Sequence, residues 1–124
     1  MTEFDRGGET MQVHYLEIVT LEVDATCTTY EQLHGVKFGE GDPMLGNART
    51  AALANGGMIG VRAPMHDAED PVIRPYWLVE DIEAAVDAAV KSGGDIAHPP
   101  MEIPGHGKFA IYIQGEIHHG LWQV

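Results

Sequence analysis

Residues 73–94, IRPYWLVEDIEAAVDAAVKSGG, decide the fold of this chain. The first seven, IRPYWLV, are rich in β-branched and aromatic side chains, the composition of a strand. Asp81 then offers a helix cap, Ile82, Ala85, Val86, Ala89 and Val90 form an apolar stripe at helical spacing, and Gly93-Gly94 stops the helix. Working outward toward the N-terminus, the same grammar recurs. Residues 13–21, VHYLEIVTL, alternate as a strand, Asp24 is a candidate cap, Ala25, Thr29, Gln32 and Leu33 approximate helical spacing, and Gly35 closes the segment as a C-cap. Glu22 precedes Gly35 by thirteen residues and Glu80 precedes Gly93 by thirteen, an offset of 58. Further on, MIGVR at 58–62 lies over HHGLW at 118–122 at an offset of 60.

The chain is therefore predicted to be a duplication, each half a strand, a helix and three further strands. Residues 36–38, 49–54 and 58–62 supply the last three strands of the first half, and 95–98, 109–113 and 117–123 those of the second. The expected organisation is a flexible tail over 1–11 and one domain over 12–124, divided into module one at 12–63, an acidic linker at 64–71 and module two at 72–124. The fold class is α+β, two β-α-β-β-β modules forming a cupped mixed sheet. Neither half can bury both faces of a small curved sheet alone, so the two join edge to edge and leave a cleft between them, a natural ligand site.

Composition narrows the function. The 124 residues carry 7 Lys+Arg against 19 Asp+Glu, a formal net charge of −12. That field repels polyphosphate and anionic lipid, and no basic cluster offsets it, which argues against nucleic-acid or membrane-surface partners. The longest uncharged stretch, between Arg49 and Arg62, is twelve residues with three glycines, short of a membrane span. Residues 1–11 show no basic region followed by an apolar run. Cys27 is the single cysteine, which excludes an intrachain disulfide, suits a reducing cytoplasm, and fits a small packed side chain better than an activated thiol.

From Val79 to Gln123 the chain contains VEDIEAAVDAAVKSGGDIAHPPMEIPGHGKFA and GLWQ, a capped helix, a paired-glycine stop, a PPM-x-IPG-x-G loop and a closing strand. This stretch, with EIVTLEVDATCTTYEQLHGVKF at 17–38, resembles the vicinal oxygen chelate superfamily, which includes glyoxalase I, extradiol dioxygenases and the bleomycin and fosfomycin resistance proteins. Metal-dependent members hold a divalent ion with four side chains, one from the first and one from the last strand of each module. The resemblance places Tyr15, Arg74, Gly60 and Gly120 at those positions. Glycine has no side-chain ligand atom and a protonated arginine repels a cation, so no metal is expected. A one-residue slip of register would offer only His14 or Leu16, and His119 or Leu121.

With those four positions facing inward, the strand period sends Glu17, Val19, Met58, Arg62, Tyr76, Leu78, His118 and Trp122 to the same side. The ligand-binding set expected is Tyr15, Arg62, Arg74, Tyr76, His118 and Trp122, with aromatic walls and an arginine for an anionic or carbonyl-bearing small molecule. Alternatively, Arg62 and Arg74 pair with Glu17 inside the cup and leave no ligand-specific charge. The best catalytic candidates are His118 and Glu17, as a general-base pair, although an inward histidine also serves as a simple hydrogen-bonding cavity residue. The run HPPMEIPGHGK at 98–108 is expected to be a stiff flap from which His106 and Lys108 meet a ligand. Glu80, Asp81, Glu83 and Asp87 are a solvated helix face.

Three functions follow as expectations. The first is a metal-independent small-molecule binding protein of the glyoxalase/bleomycin-resistance type, homodimeric as the resemblance implies. The second is a lyase, isomerase or dioxygenase of the same fold with an irregular Fe, Mn, Ni or Zn site built from His118, Glu17 and His14 or His106. The third is an interaction module whose cleft is filled by its own side chains.

Overall fold

The computed structural model describes residues 10–124, so most of the expected tail lies outside the described residues. Eight strands form one mixed sheet: β1 (Val13–Val19), β2 (Gly41–Asp42), β3 (Ala48–Ala52), β4 (Met58–Arg62), β5 (Val72–Leu78), β6 (Asp95–Ile103), β7 (Gly107–Gln114) and β8 (Ile117–Gln123). Their order is β2-β3-β4-β1-β5-β8-β7-β6. The helices are α1 (Val23–His34) and α2 (Ile82–Lys91).

The duplication is visible in the ladder. Strand β1 pairs in parallel with β4, placing Glu17 beside Gly60 and Val19 beside Arg62, while β5 pairs in parallel with β8, placing Tyr76 beside Gly120 and Leu78 beside Trp122. Equivalent positions are thus Glu17 and Tyr76, Gly60 and Gly120, and Arg62 and Trp122. The two modules meet where β1 and β5 run antiparallel, Glu17 opposite Arg74 and Tyr15 opposite Tyr76.

Strand parity sorts the side chains. On one face Ile18, Ile59 and Val61 pack with Cys27, Phe38 and the half-buried Tyr30 beneath α1. Ile82, Ala110 and Leu121 do the same beneath α2. On the other face, away from both helices, Tyr15, Leu45, Ala48, Tyr76 and Trp122 form a separate cluster that floors the cup. Ile82 is fully buried, a contribution of about 1.5–3 kcal/mol from its side chain.

Three expectations need correction. The first helix begins at Val23 with Glu22 as its N-cap, so Asp24 lies inside the first turn, where its charge suits the helix dipole and its carboxylate accepts from Arg49 at 2.9 Å. Asp81, by contrast, caps α2 as expected, accepting from the Ala84 amide. Residues 36–38 form no strand: Phe38 is buried, but its amide donates to the Glu31 side chain rather than to a neighbouring strand. The expected flap at 98–108 is mostly strand, since β6 continues to Ile103 and only a tight turn separates it from β7. Pro99 and Pro100 are tolerated there because β6 is an edge strand, with irregularities between Ile96 and His98 and between His98 and Met101.

Candidate functional site

The cup encloses a cavity of about 370 Å³, within the range of small-molecule sites. Five of the six expected ligand-binding residues line it, Tyr15, Arg62, Arg74, Tyr76 and Trp122, together with Glu17. His118 does not. It pairs with Ile113 of β7, but β5 joins β8 only from Gly120 onward, so His118 stands beyond the end of that ladder, exposed, in a separate groove with Ile117 and His119. It is not brought to Glu17, and the general-base pair does not assemble.

One side of the cavity is aromatic. Trp122 and Tyr15 have ring centroids 5.3 Å apart, and Tyr76 meets Trp122 edge-on at 5.7 Å and Phe109 at 6.2 Å. Trp122 is almost fully buried, and its indole N–H donates to the His106 carbonyl at 2.9 Å. Two glycines on the parallel ladders, Gly60 on β4 and Gly120 on β8, make this packing possible. A Cβ on Gly60 would collide with the Tyr15 hydroxyl, and one on Gly120 would lie 2.5 Å from the Tyr76 ring and 2.7 Å from the Pro75 carbonyl.

The other side is charged and internally paired. Glu17 Oε2 accepts from Arg62 Nε at 2.8 Å, and Glu17 Oε1 accepts from Arg74 at 2.7 Å and from the Tyr76 hydroxyl at 2.9 Å. Pairing of both arginines with Glu17, one of the two alternatives open from the sequence, is thus observed. The residue that sequence reasoning missed is Glu69, in the connection between β4 and β5. It meets Arg62 with two parallel hydrogen bonds of 2.9 and 2.7 Å and accepts the Met65 amide at 2.7 Å. Those contacts, Arg62 foremost, outweigh burial and hold its carboxyl down at about 2. Burial alone would lower the basicity of Arg62, but its bonds to Glu69 and Glu17 raise it. Burial first, and then the Glu17 charge, push the Tyr15 and Tyr76 hydroxyls upward, so both remain protonated donors.

Among the described residues, two buried polar groups of the cavity's lining side chains lack partners: the Tyr15 hydroxyl and Arg74 Nε. Tyr15 is 3% exposed and lines the cavity, and its unpaired hydroxyl, which packs over Gly60, is an unmet hydrogen-bonding demand at that wall. Met44, Met65 and Met101 ring the cavity, each at least half exposed, and supply an adaptable apolar rim.

The residues expected above the cleft are otherwise engaged. His106 Nε2 lies 3.0 Å from Asp42 Oδ2, joining the β6–β7 turn to the β2 edge of the other module, and Lys108 reaches Glu83 at 3.7 Å. His14 stacks at a tilt on Trp122, and burial, followed by the nearby His106, lowers its basicity. The donor set does not fit a divalent ion. The four positions at which the resembled superfamily places its metal ligands hold a tyrosine, an arginine and two glycines, both Glu17 oxygens are occupied by cationic partners, and no group of three or more His, Cys, Asp or Glu side chains is poised for a metal among the described residues.

Comparison with known proteins agrees with this architecture. No family model matches the sequence. The chain is 26% identical over 117 residues to the proposed glyoxylase CFP32 of Mycobacterium tuberculosis, covering 90% of this chain and 45% of that protein. It spans about half the length of the curated relatives it matches. Among solved structures, a hypothetical protein of Bacillus halodurans superposes with a TM-score of 0.75 at 12% identity, covering 94% of this chain and 96% of that one. This is a protein with the vicinal oxygen chelate fold. The methylmalonyl-CoA epimerase of Mycobacterium tuberculosis shares this glyoxalase-like fold, with a TM-score of 0.69 at 14% identity over 90% of this chain and 86% of the epimerase. No helix among the described residues is long and apolar enough to cross a membrane.

Proposed function

We propose that the cleft is a metal-independent binding site for a small molecule with an apolar, ring-sized body and a hydrogen-bond acceptor. The observation that carries this reading is the pair of unpartnered buried groups, the Tyr15 hydroxyl and Arg74 Nε, on a cavity otherwise walled by Tyr76, Phe109 and Trp122. An acceptor brought by the ligand relieves a desolvation cost of about 1–3 kcal/mol for each group it satisfies. The rings supply stacking area, and the methionine rim adapts to shape. A divalent metal plays no part because its usual ligand positions carry no suitable donors.

The test uses the Trp77→Phe protein, in which Trp122 is the sole tryptophan, titrated with methyl phenylacetate while indole fluorescence is followed. The expected result is a saturable change, weakened about tenfold by Tyr15→Phe, the size of one hydrogen bond. A fluorescence signal that stays flat across aryl esters and ketones would overturn the proposal and favour a cleft filled by its own side chains.

A further inference from the structure

We infer that the connection spanning 63–71 is a strap that occupies the cleft's own arginine, and that the molecule admitted carries a carboxylate which displaces Glu69 from Arg62. This rests on the reading of the cleft as a small-molecule site and specifies the chemistry of its ligand.

Arg62 gives Nε to Glu17 and both terminal nitrogens, in parallel, to the two oxygens of Glu69. That two-pronged arrangement is the one a free carboxylate takes on a guanidinium. The two glutamates differ in how they are held. Glu17 sits in the middle of β1, with ladders on both sides, and cannot leave. Glu69 belongs to a segment without regular structure, tied beyond Arg62 by the Met65 amide and by its own amide to the His66 carbonyl at 3.1 Å.

The strap has a seat on the cavity. Gly46, at φ 67°, leaves the space taken by the Met65 side chain and the Arg62 stem, and a Cβ there would strike Met65 and lie 3.1 Å from Arg62 Cδ. Met65 and Glu69 both line the cavity, so lifting the strap enlarges it on the side where Arg62 would be freed.

Charge balance selects the ligand. Glu17, Glu69, Arg62 and Arg74 sum to zero. A carboxylate entering with the strap closed would bury an uncompensated negative charge, which is strongly disfavoured. Exchange of one carboxylate for the other keeps the cluster neutral and returns Glu69 to water. Because the Glu69 carboxyl titrates at about 2, protonation does not open the strap near neutrality, and anion exchange is the available route.

The experiment compares the parent Trp77→Phe protein with its Glu69→Ala and Glu69→Gln derivatives, using phenylacetate and methyl phenylacetate as probes. Glu69→Gln keeps the side-chain size, so the comparison survives if Glu69→Ala is too unstable to titrate. Phenylacetate is expected to bind the derivatives more tightly than the parent and to gain more than the ester does, so that the ratio of carboxylate to ester affinity rises about tenfold, the equivalent of one charge-assisted hydrogen bond no longer contested. In the parent, saturating phenylacetate is also expected to speed hydrogen exchange at the Met65 amide, whose bond to Glu69 is lost on displacement. Equal phenylacetate affinity in parent and derivatives, or unchanged Met65 exchange with phenylacetate bound, overturns the strap. If the ester binds and the carboxylate preference is absent, the strap alone fails; if neither probe binds any form, the cleft reading fails and the strap with it.

Discussion

Module one presents Glu17 and Arg62 to the cleft where module two, at the equivalent positions on β5 and β8, presents Tyr76 and Trp122. The backbones repeat and the chemistry does not. In module one the inward positions form a salt-bridge network closed by Glu69, and in module two they form an aromatic wall continued by Phe109. Tyr76 is the junction, since its ring packs on Trp122 while its hydroxyl donates to Glu17. Duplication thus supplies a symmetric cup, and divergence of a few inward residues makes it amphipathic, apolar on one side and polar on the other.

The comparison can be broken most severely on its charged side. Glu17→Ala leaves Arg74 without its carboxylate and Arg62 with only one, and should cost about 3–5 kcal/mol in urea unfolding, the penalty for orphaning a buried charge. A loss below about 1 kcal/mol would mean that the network is solvated rather than buried. Next come the two glycines at equivalent positions. Gly120→Ala drives a methyl group into the Tyr76 ring and the Pro75 carbonyl, and should cost about 2–3 kcal/mol, as overpacking of a tight site does. Gly60→Ala meets only the Tyr15 side chain and no backbone atom, so its cost should be the smaller of the two; the reverse order in paired thermal melts would contradict the packing described.

An acid titration separates the strap from the rest of the charged side. The folded-state carboxyl of Glu69 lies at about 2, below its ordinary value of 4.5, so its contribution is fully present above pH 4.5 and is lost as pH falls toward 2. Glu69→Gln should flatten the stability profile in that window and leave its shape near neutrality unchanged, as measured by denaturant midpoints across pH. The smallest effect belongs to the exposed pair of Arg49 and Asp24 on module one's outer surface. Asp24→Ala should change stability by less than about 1 kcal/mol, which would confirm that burial, not pairing, gives Glu17 its weight.

Much of this asymmetry was legible before the structure. The offsets near sixty residues located β4 and β8 at their observed positions, and strand parity correctly directed Tyr15, Glu17, Arg62, Tyr76 and Trp122 to one face. Parity failed for His118 because it describes a face and not where the cup ends; the β5–β8 ladder begins two residues later. Prolines in 98–103 suggested a loop because their missing amides are normally excluded from sheets, a restriction that an edge strand escapes. Glu69 carried no signal, since it sits in an acidic connection where periodicity has no meaning and where one carboxylate among several is selected only by three-dimensional proximity to Arg62. The occupancy of Arg62, on which the proposed ligand chemistry rests, therefore emerged only from the fold.

Metal-independent binding in the cleft is the proposal on which the rest depends. It is tested most directly by titrating methyl phenylacetate into the Trp77→Phe protein before and after exhaustive treatment with EDTA, and again after addition of Fe, Mn, Ni or Zn. The expected result is one dissociation constant in all conditions, with no stoichiometric metal in the purified protein. Binding that disappears with EDTA and returns with one of these ions would contradict it.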